Sequence, residues 1–345
     1  MVWWQIVLFP FAILYDVITR LRNHLFTIGY SRSFQFDANV INVGNLAVGG
    51  TGKSPFVVYL LQYFHQKNQS TATLSRGYGR KTKGFFILSD QDTPKSAGDE
   101  PIVLYRRFGD RSLISVGEER ALAIPTLLHE KPDLDVIILD DAFQHRTVTP
   151  SFNILLTTFQ RPFYNDYIMP SGLLREGRKG AARSDVIIVS KCPPTLHEAQ
   201  MEQMKEKIRK YAPGSEVFFT GLKYGEPQPL FEKKEKKDRA LIVSGIANPE
   251  LFFDYSESHF EVVDKRTYGD HHFYSDKEVS QLIALLNKYN AMLITTEKDA
   301  VKLREFDMLS EYPCFILPIE VYFLEKEDRF LEMLEGSIKS YERKS

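Results

Sequence analysis

A chain of 345 residues with 44 Lys and Arg against 45 Asp and Glu carries no global basic field, which excludes wholesale nucleic-acid binding. Its 43% hydrophobic and 26% charged residues are those of an ordinary globular protein, long enough for about two domains with substantial cores. Cys192 and Cys314 show neither a CxxC pair nor metal-ligand spacing, so a disulfide framework is excluded and a reducing compartment fits.

Residues 3–15 are apolar except for Gln5 and Pro10, and Trp3, Trp4, Val7, Leu8, Phe11, Leu14, Tyr15, Ile18, Leu21 and Leu25 follow helical spacing. Asp16 interrupts the run before the roughly 18 residues a spanning helix needs. No basic residue precedes it and no small-residue cleavage site follows, which argues against a secretory signal. With tryptophans leading and Arg20, Arg22 and Arg32 trailing, the stretch reads as a helix lying in a bilayer interface. The alternative is a helix packed on its own domain, since an apolar stripe alone does not choose its partner.

Residues 40–43 then form an apolar strand that runs into Gly44-Asn45-Leu46-Ala47-Val48-Gly49-Gly50-Thr51-Gly52-Lys53-Ser54. This is the pattern of a phosphate cradle: Gly49, Gly50, Thr51 and Gly52 turn backbone N–H groups inward, and the next helix offers its positive end. Lys53 reaches the β- and γ-phosphates and Ser54 ligates Mg²⁺. Ala47 stands where the pattern has glycine. The spacing predicts a helix over 53–66, then strands at 71–74, 85–88 and 113–116, a helix over 118–129, and buried strands at 135–141, 154–157 and 186–189. The alternation predicts a parallel sheet flanked by helices. Residues 218–224 read as a short exposed strand and 232–239 as a solvated charge run leading into a second α/β unit. That unit has a strand at 240–243, a helix capped by Ser275 and Glu278, and a strand at 293–295. Residues 315–323 read as the return to the first unit, with a terminal helix after Glu325. The expected organisation is 1–30, a membrane-associated helix; 31–217, a P-loop domain; 218–325, a second α/β domain with linker strands at its ends; and 326–345, a C-terminal helix.

Phosphoryl transfer needs a cradle, a metal beside it and a group that takes the acceptor's proton. Asp140 and Asp141 end an apolar strand where a second P-loop carboxylate approaches Mg²⁺. Asp99, between Gly98 and Pro101, reads equally as a helix cap or as a functional carboxylate. Asp270-His271-His272 lacks further ligands at zinc spacing and reads better as a histidine polarised by a carboxylate, which suits deprotonation of an alcohol. Arg76 and Arg80, and Arg175, Arg178, Lys179 and Arg183, read as solvated surface or as contacts to phosphate. No [NT]-K-x-D string occurs, only Ser190-Lys191-Cys192-Pro193 and Thr296-Glu297-Lys298-Asp299, so ATP is favoured over GTP.

The ordered set of motifs resembles the tetraacyldisaccharide 4'-kinase family of lipid A synthesis: 44–46 through 49–55, Ser75-Arg76-Gly77-Tyr78-Gly79, Gly98-Asp99-Glu100-Pro101, Asp140-Asp141-Ala142-Phe143-Gln144-His145, Pro170-Ser171-Gly172-Leu173-Leu174-Arg175-Glu176, Asp270-His271-His272 and Thr296-Glu297-Lys298-Asp299-Ala300. The departures are Ser54, where the family commonly has threonine, and Ala142, where it commonly has glycine. The resemblance implies a kinase using ATP and Mg²⁺ to phosphorylate the 4'-hydroxyl of a tetraacylated glucosamine disaccharide 1-phosphate. It places that kinase on the cytoplasmic face of a bacterial inner membrane, with no nucleic-acid or evident protein partner. It also implies Asp99 as the acceptor-activating base with His271 as its partner, Lys53 and Ser54 on the phosphates and Mg²⁺, and Asp140, Asp141, Glu176 and Gln144 around the metal and the transferring group. The competing readings are a soluble P-loop ATPase driving assembly or metal insertion, and a membrane-bound nucleotide sensor.

Overall fold

Continuous apolar runs have no polar face to give to water, so they become strands covered on both sides. In a computed structural model that describes residues 3–232 and 234–338, helix α1 (Trp3–Thr27) precedes β1 (Asn39–Asn45), α2 (Lys53–Gln66), β2 (Thr71–Ser75) and β3 (Phe86–Ile87). There follow α3 (Pro94–Ala97), α4 (Asp99–Phe108), β4 (Ser112–Val116), α5 (Arg120–Glu130), β5 (Val136–Asp140), β6 (Phe152–Thr158), β7 (Val186–Ser190), α6 (Glu198–Arg209) and β8 (Glu216–Tyr224). The chain continues through β9 (Gln228–Pro229), β10 (Arg239–Ser244), α7 (Glu250–His259), β11 (Glu261–Thr267), α8 (Asp276–Tyr289) and β12 (Met292–Thr296). It ends with α9 (Glu297–Leu303), β13 (Cys314–Leu317), β14 (Ile319–Phe323) and α10 (Glu327–Gly336). Met1, Val2, the side chains of residues 3–6, Lys233 of the charge run and the 339–345 end of the expected C-terminal helix lie outside the described residues.

Nine strands form the first sheet in the order β14-β8-β7-β6-β1-β5-β2-β4-β3, parallel except at the β3 and β14 edges. The expected parallel α/β architecture is therefore present. β1 lies between β5 and β6, with Val43 opposite Asp140, so the carboxyl ends of β1 and β5 open side by side. That crevice is where ligands bind in open α/β sheets. One face is sealed by α2, α4 and α10 through Phe56, Leu60, Phe64, Ile102, Phe108 and Phe330. The second sheet, β11-β10-β12-β13-β9, is parallel but for β9.

Two expectations are corrected. Residues 218–224 are not an exposed strand: Phe218, Phe219 and Thr220 are buried because β8 pairs with β7 on one side and β14 on the other. Residues 315–323 are not one return segment: Pro318 separates β13, in the second sheet, from β14, in the first. After β14, α10 lies across α2, where Phe330 meets Phe56 edge-on at 5.7 Å and the Tyr59 hydroxyl donates to Glu327 Oε1 at 2.7 Å.

Helix α1 answers the choice left by its stripe with a division of faces. Its polar side docks on the loops that follow β5 and β6: Tyr15 Oη donates to the Arg175 carbonyl at 3.0 Å, Arg22 to the Gln144 carbonyl at 2.7 Å and Asn23 Nδ2 to Glu176 Oε2 at 2.7 Å. Its apolar side faces outward, with Val7 62%, Phe11 63%, Leu14 60%, Ile18 56% and Leu21 59% exposed. No described helix is long and apolar enough to cross a membrane.

Candidate active site

The loop after β1 leaves the sheet at Asn45 and is pinned before it reaches its glycines. Val48 N–H donates to the Leu173 carbonyl at 2.8 Å, and Arg175 N–H donates to the Leu46 carbonyl at 2.7 Å. Ala47 bridges Leu174 and does not adopt a positive φ, so its methyl costs the loop nothing. Gly49 (φ 101°) and Gly52 (φ 84°) do sit in the left-handed region that an L side chain rarely enters, which lets the loop curl into the N-terminus of α2. Thr51 is buried and locked, its hydroxyl accepting from Asn45 Nδ2 at 2.7 Å and its carbonyl from Ser190 Oγ at 2.7 Å. A methyl on Gly50 would stand 3.8 Å from Lys191 Nζ and 3.9 Å from Asn248 Nδ2, so side chains from both sheets flank the loop.

Asp140 and Asp141 occupy opposite electrostatic settings. Asp141 adopts φ 52°, a conformation aspartate tolerates, and takes both arms of Arg175 (2.6 and 3.1 Å) with Lys53 Nζ at 3.5 Å. Burial opposes its ionisation, but Lys53 and Arg175 outweigh it and bring the carboxyl down to about 2. Asp140 is buried, its Oδ1 has no hydrogen-bond partner, and burial together with Glu100 pushes its carboxyl above the ordinary range. The charges of Lys53 and Lys298 oppose that rise without cancelling it.

Asp99 does not cap α4. Gly98 is the N-cap, with φ 96°, and Asp99 is the first helical residue, 6% exposed. His271, in the left-handed region at φ 58°, brings Nδ1 to 2.9 Å from Asp99 Oδ2 and 3.1 Å from Oδ1, which joins the two sheets. Burial would raise the Asp99 carboxyl, but the hydrogen bond from His271 and the charges of Lys298 and Lys302 bring it down to about 2. The same hydrogen bond raises His271 above its ordinary value of 6.5. His272 diverges to Glu278, at 3.1 Å, and among the described residues no group of three His, Cys, Asp or Glu side chains is placed to hold a metal by itself.

Lys53, Ser54, Asp140 and Asp141 thus come together at the loop, with Asp99 and His271 tied to them through Glu100. Gln144 and Glu176 form an adjoining cluster against α1. Gln144 Nε2 donates to the Asn45 carbonyl and to Glu176 Oε1, and Glu176 also accepts from Arg183 at 2.7 Å and from Asn23. Arg76 is exposed, close enough for its charge to lower His145 and Arg120. Arg80, Arg178 and Arg183 are neither solvated surface nor free for phosphate. Arg80 holds Glu118 at 2.5 Å, Arg178 the Asp166 carbonyl at 2.8 Å and Arg183 the Glu176 carboxylate. The motif strings contain Glu100 and Lys298, but no role follows for them from sequence. Ser54 Oγ donates to Glu100 Oε1 at 2.9 Å, and Lys298 Nζ donates to the same oxygen at 2.5 Å.

A glycine loop between the central strand and its helix, with a lysine, a hydroxyl and paired carboxylates at the neighbouring strand end, defines a P-loop nucleotide-binding α/β protein. The family model of tetraacyldisaccharide-1-P 4'-kinase matches residues 4–339. The tetraacyldisaccharide 4'-kinases of Flavobacterium johnsoniae and Flavobacterium psychrophilum are 39% and 40% identical, covering 94% and 96% of both chains respectively. A solved structure of LpxK from Aquifex aeolicus in complex with ATP superposes with a TM-score of 0.75 at 26% identity, over 97% of this chain and 99% of that one. The chain belongs to the tetraacyldisaccharide-1-P 4'-kinase family.

Proposed function

We propose that this chain transfers the γ-phosphate of ATP to the 4'-hydroxyl of a tetraacylated glucosamine disaccharide 1-phosphate in lipid A biosynthesis. The observation that carries the acceptor half is the Asp99–His271 contact, a carboxylate and an imidazole from two sheets 2.9 Å apart beside the phosphate loop. The pair takes the proton of the attacking hydroxyl, Asp99 as base and His271 as its partner. Gly49, Gly50, Thr51 and Gly52 cradle the phosphates, Lys53 meets the charge on the transferring group, and Arg76 and Gln144 border the nucleotide.

A divalent cation fits the residues present. The unpartnered Asp140 oxygen, the Ser54 hydroxyl and Asp141 are oxygen donors at one strand end, and phosphates and water complete the rest. Ser54, Asp140 and Asp141 would hold Mg²⁺, with Glu176 behind them through Gln144, and an ion held there would offset negative charge on the nucleotide phosphates. Purified protein given Mg-ATP and the acylated disaccharide 1-phosphate is expected to yield the lipid phosphorylated at both ends. ATP turnover without that product overturns the assignment.

The substrate's acyl chains stay in a bilayer, and the outward face of α1 supports docking on that surface, on the cytoplasmic side of the inner membrane. Each outward side chain is worth on the order of 1 kcal/mol on transfer from water to the acyl boundary, enough in sum for reversible attachment. Phe11→Asp with Leu14→Asp, 63% and 60% exposed, is expected to abolish co-sedimentation with anionic vesicles at an unchanged melting temperature. Undiminished sedimentation counts against the helix as the anchor.

A further inference from the structure

The first turn of α4 faces two lysines one turn apart on α9, which puts both on one side of that helix. Lys302, 2% exposed and without a hydrogen-bond partner, stands 3.5 Å from Asp99 Oδ2. Lys298 donates to Glu100 Oε1 at 2.5 Å. One carboxylate oxygen of Glu100 therefore accepts two hydrogen bonds, from the P-loop hydroxyl of Ser54 and from the α9 amine of Lys298. Farther along α4, Arg107 meets Glu297 at 3.1 Å, so α9 is held along its length.

Resting on the phosphoryl-transfer reading above, we propose that Glu100 and Lys298 are positioning residues through which the second sheet sets the Ser54 hydroxyl in the phosphate loop. A hydroxyl that gives its proton to Glu100 keeps its lone pairs turned away, available to a cation. Lys298 Nζ and Ser54 Oγ meet on the same oxygen of Glu100, at 2.5 and 2.9 Å, so the amine fixes where the carboxylate oxygen that accepts from the hydroxyl stands. The Lys298 ammonium is also the ion-pair partner of that carboxylate. The consequence is that α9, which also places Lys302 against Asp99, aligns the donor and acceptor halves by one contact surface. A lysine from the second sheet then governs nucleotide affinity without itself gripping phosphate.

The test is the affinity of Mg²⁺ with a non-hydrolysable ATP analogue, measured by calorimetry without acceptor. Lys298→Met is expected to weaken binding by about tenfold and Lys298→Arg to restore it to within about threefold. In a Glu100→Gln background, Lys298→Met should add less than about twofold, because its route to Ser54 is already cut. Equal losses in both backgrounds would show Lys298 acting on phosphate directly, and an affinity within twofold of wild type would show no coupling; either overturns the proposal. Lys298→Gln, which keeps a donor and removes the charge, carries the same comparison if the methionine variant folds poorly. Wild-type protein that binds the analogue yet phosphorylates no acylated disaccharide would sink the kinase reading and leave this comparison standing.

Discussion

Lys53→Ala is expected to lower kcat by about 10³-fold while the protein stays folded. Two effects compete in this substitution, and the structure separates them. Removing one partner of a buried ion pair strands the other charge at a cost of several kcal/mol. Here Asp141 keeps both arms of Arg175, at 2.6 and 3.1 Å, whereas Lys53 is the more distant partner at 3.5 Å. The loss of stability should therefore be small. The loss of rate should be large, because an amine fixed at the first residue of α2 meets charge that grows on the transferring phosphoryl group. Lys53→Arg is not expected to rescue, since a planar fork cannot occupy the place of a compact point charge within a closed loop. Steady-state kinetics with a melting curve decides the matter: a kcat within tenfold of wild type removes Lys53 from the mechanism.

The parts of the fold that could be read in the sequence are those whose signal is local. Apolar runs at 40–43, 135–141 and 186–189 became buried strands, and Ser275 with Glu278 forms a reciprocal cap, Ser275 N–H donating to Glu278 Oε2 at 2.8 Å. The capping reading of Asp99 fell to a glycine, Gly98, that takes the cap. Helix α6 went unread because its core contacts come from Met201, Met204 and Ile208 within an otherwise charged segment, and β11 because a half-exposed edge strand shows no clean alternation. Lys298 and Glu100 were visible as motif letters only. Their meaning depends on how α9 meets α4, a docking that no local periodicity encodes. The arginines after Gly172 were misjudged for a related reason: their partners, Asp141, the Asp166 carbonyl and Glu176, lie on three different segments.

Asp99→Asn and His271→Gln should each lower kcat/KM by about 10²- to 10³-fold, and the double variant should be little worse than the poorer single one. Two side chains 2.9 Å apart that share one proton act as a unit, so the second loss finds nothing left to remove. The pH dependence gives an independent reading. The hydrogen bond to Asp99 raises His271 above its ordinary 6.5, so below that raised value the pair already holds its proton and cannot take another from the acceptor. The acid limb of wild-type kcat/KM therefore falls above pH 6.5. In His271→Gln, Asp99 keeps Lys298 and Lys302 as neighbours and stays ionised through neutral pH, so the residual rate should lose that limb. Stability runs the other way. The raised imidazole stabilises the closed sheets fully below 6.5 and loses that contribution as pH rises through its folded value. Asp99, depressed to about 2, contributes above its ordinary 3.8 and loses the contribution as pH falls through about 2. Catalysis is thus expected to strengthen over the pH range in which the inter-sheet contact loosens, a compromise suited to a cleft that must bind and release a lipid. Additive losses in the double variant, or an acid limb unmoved by His271→Gln, would mean that Asp99 and His271 act separately.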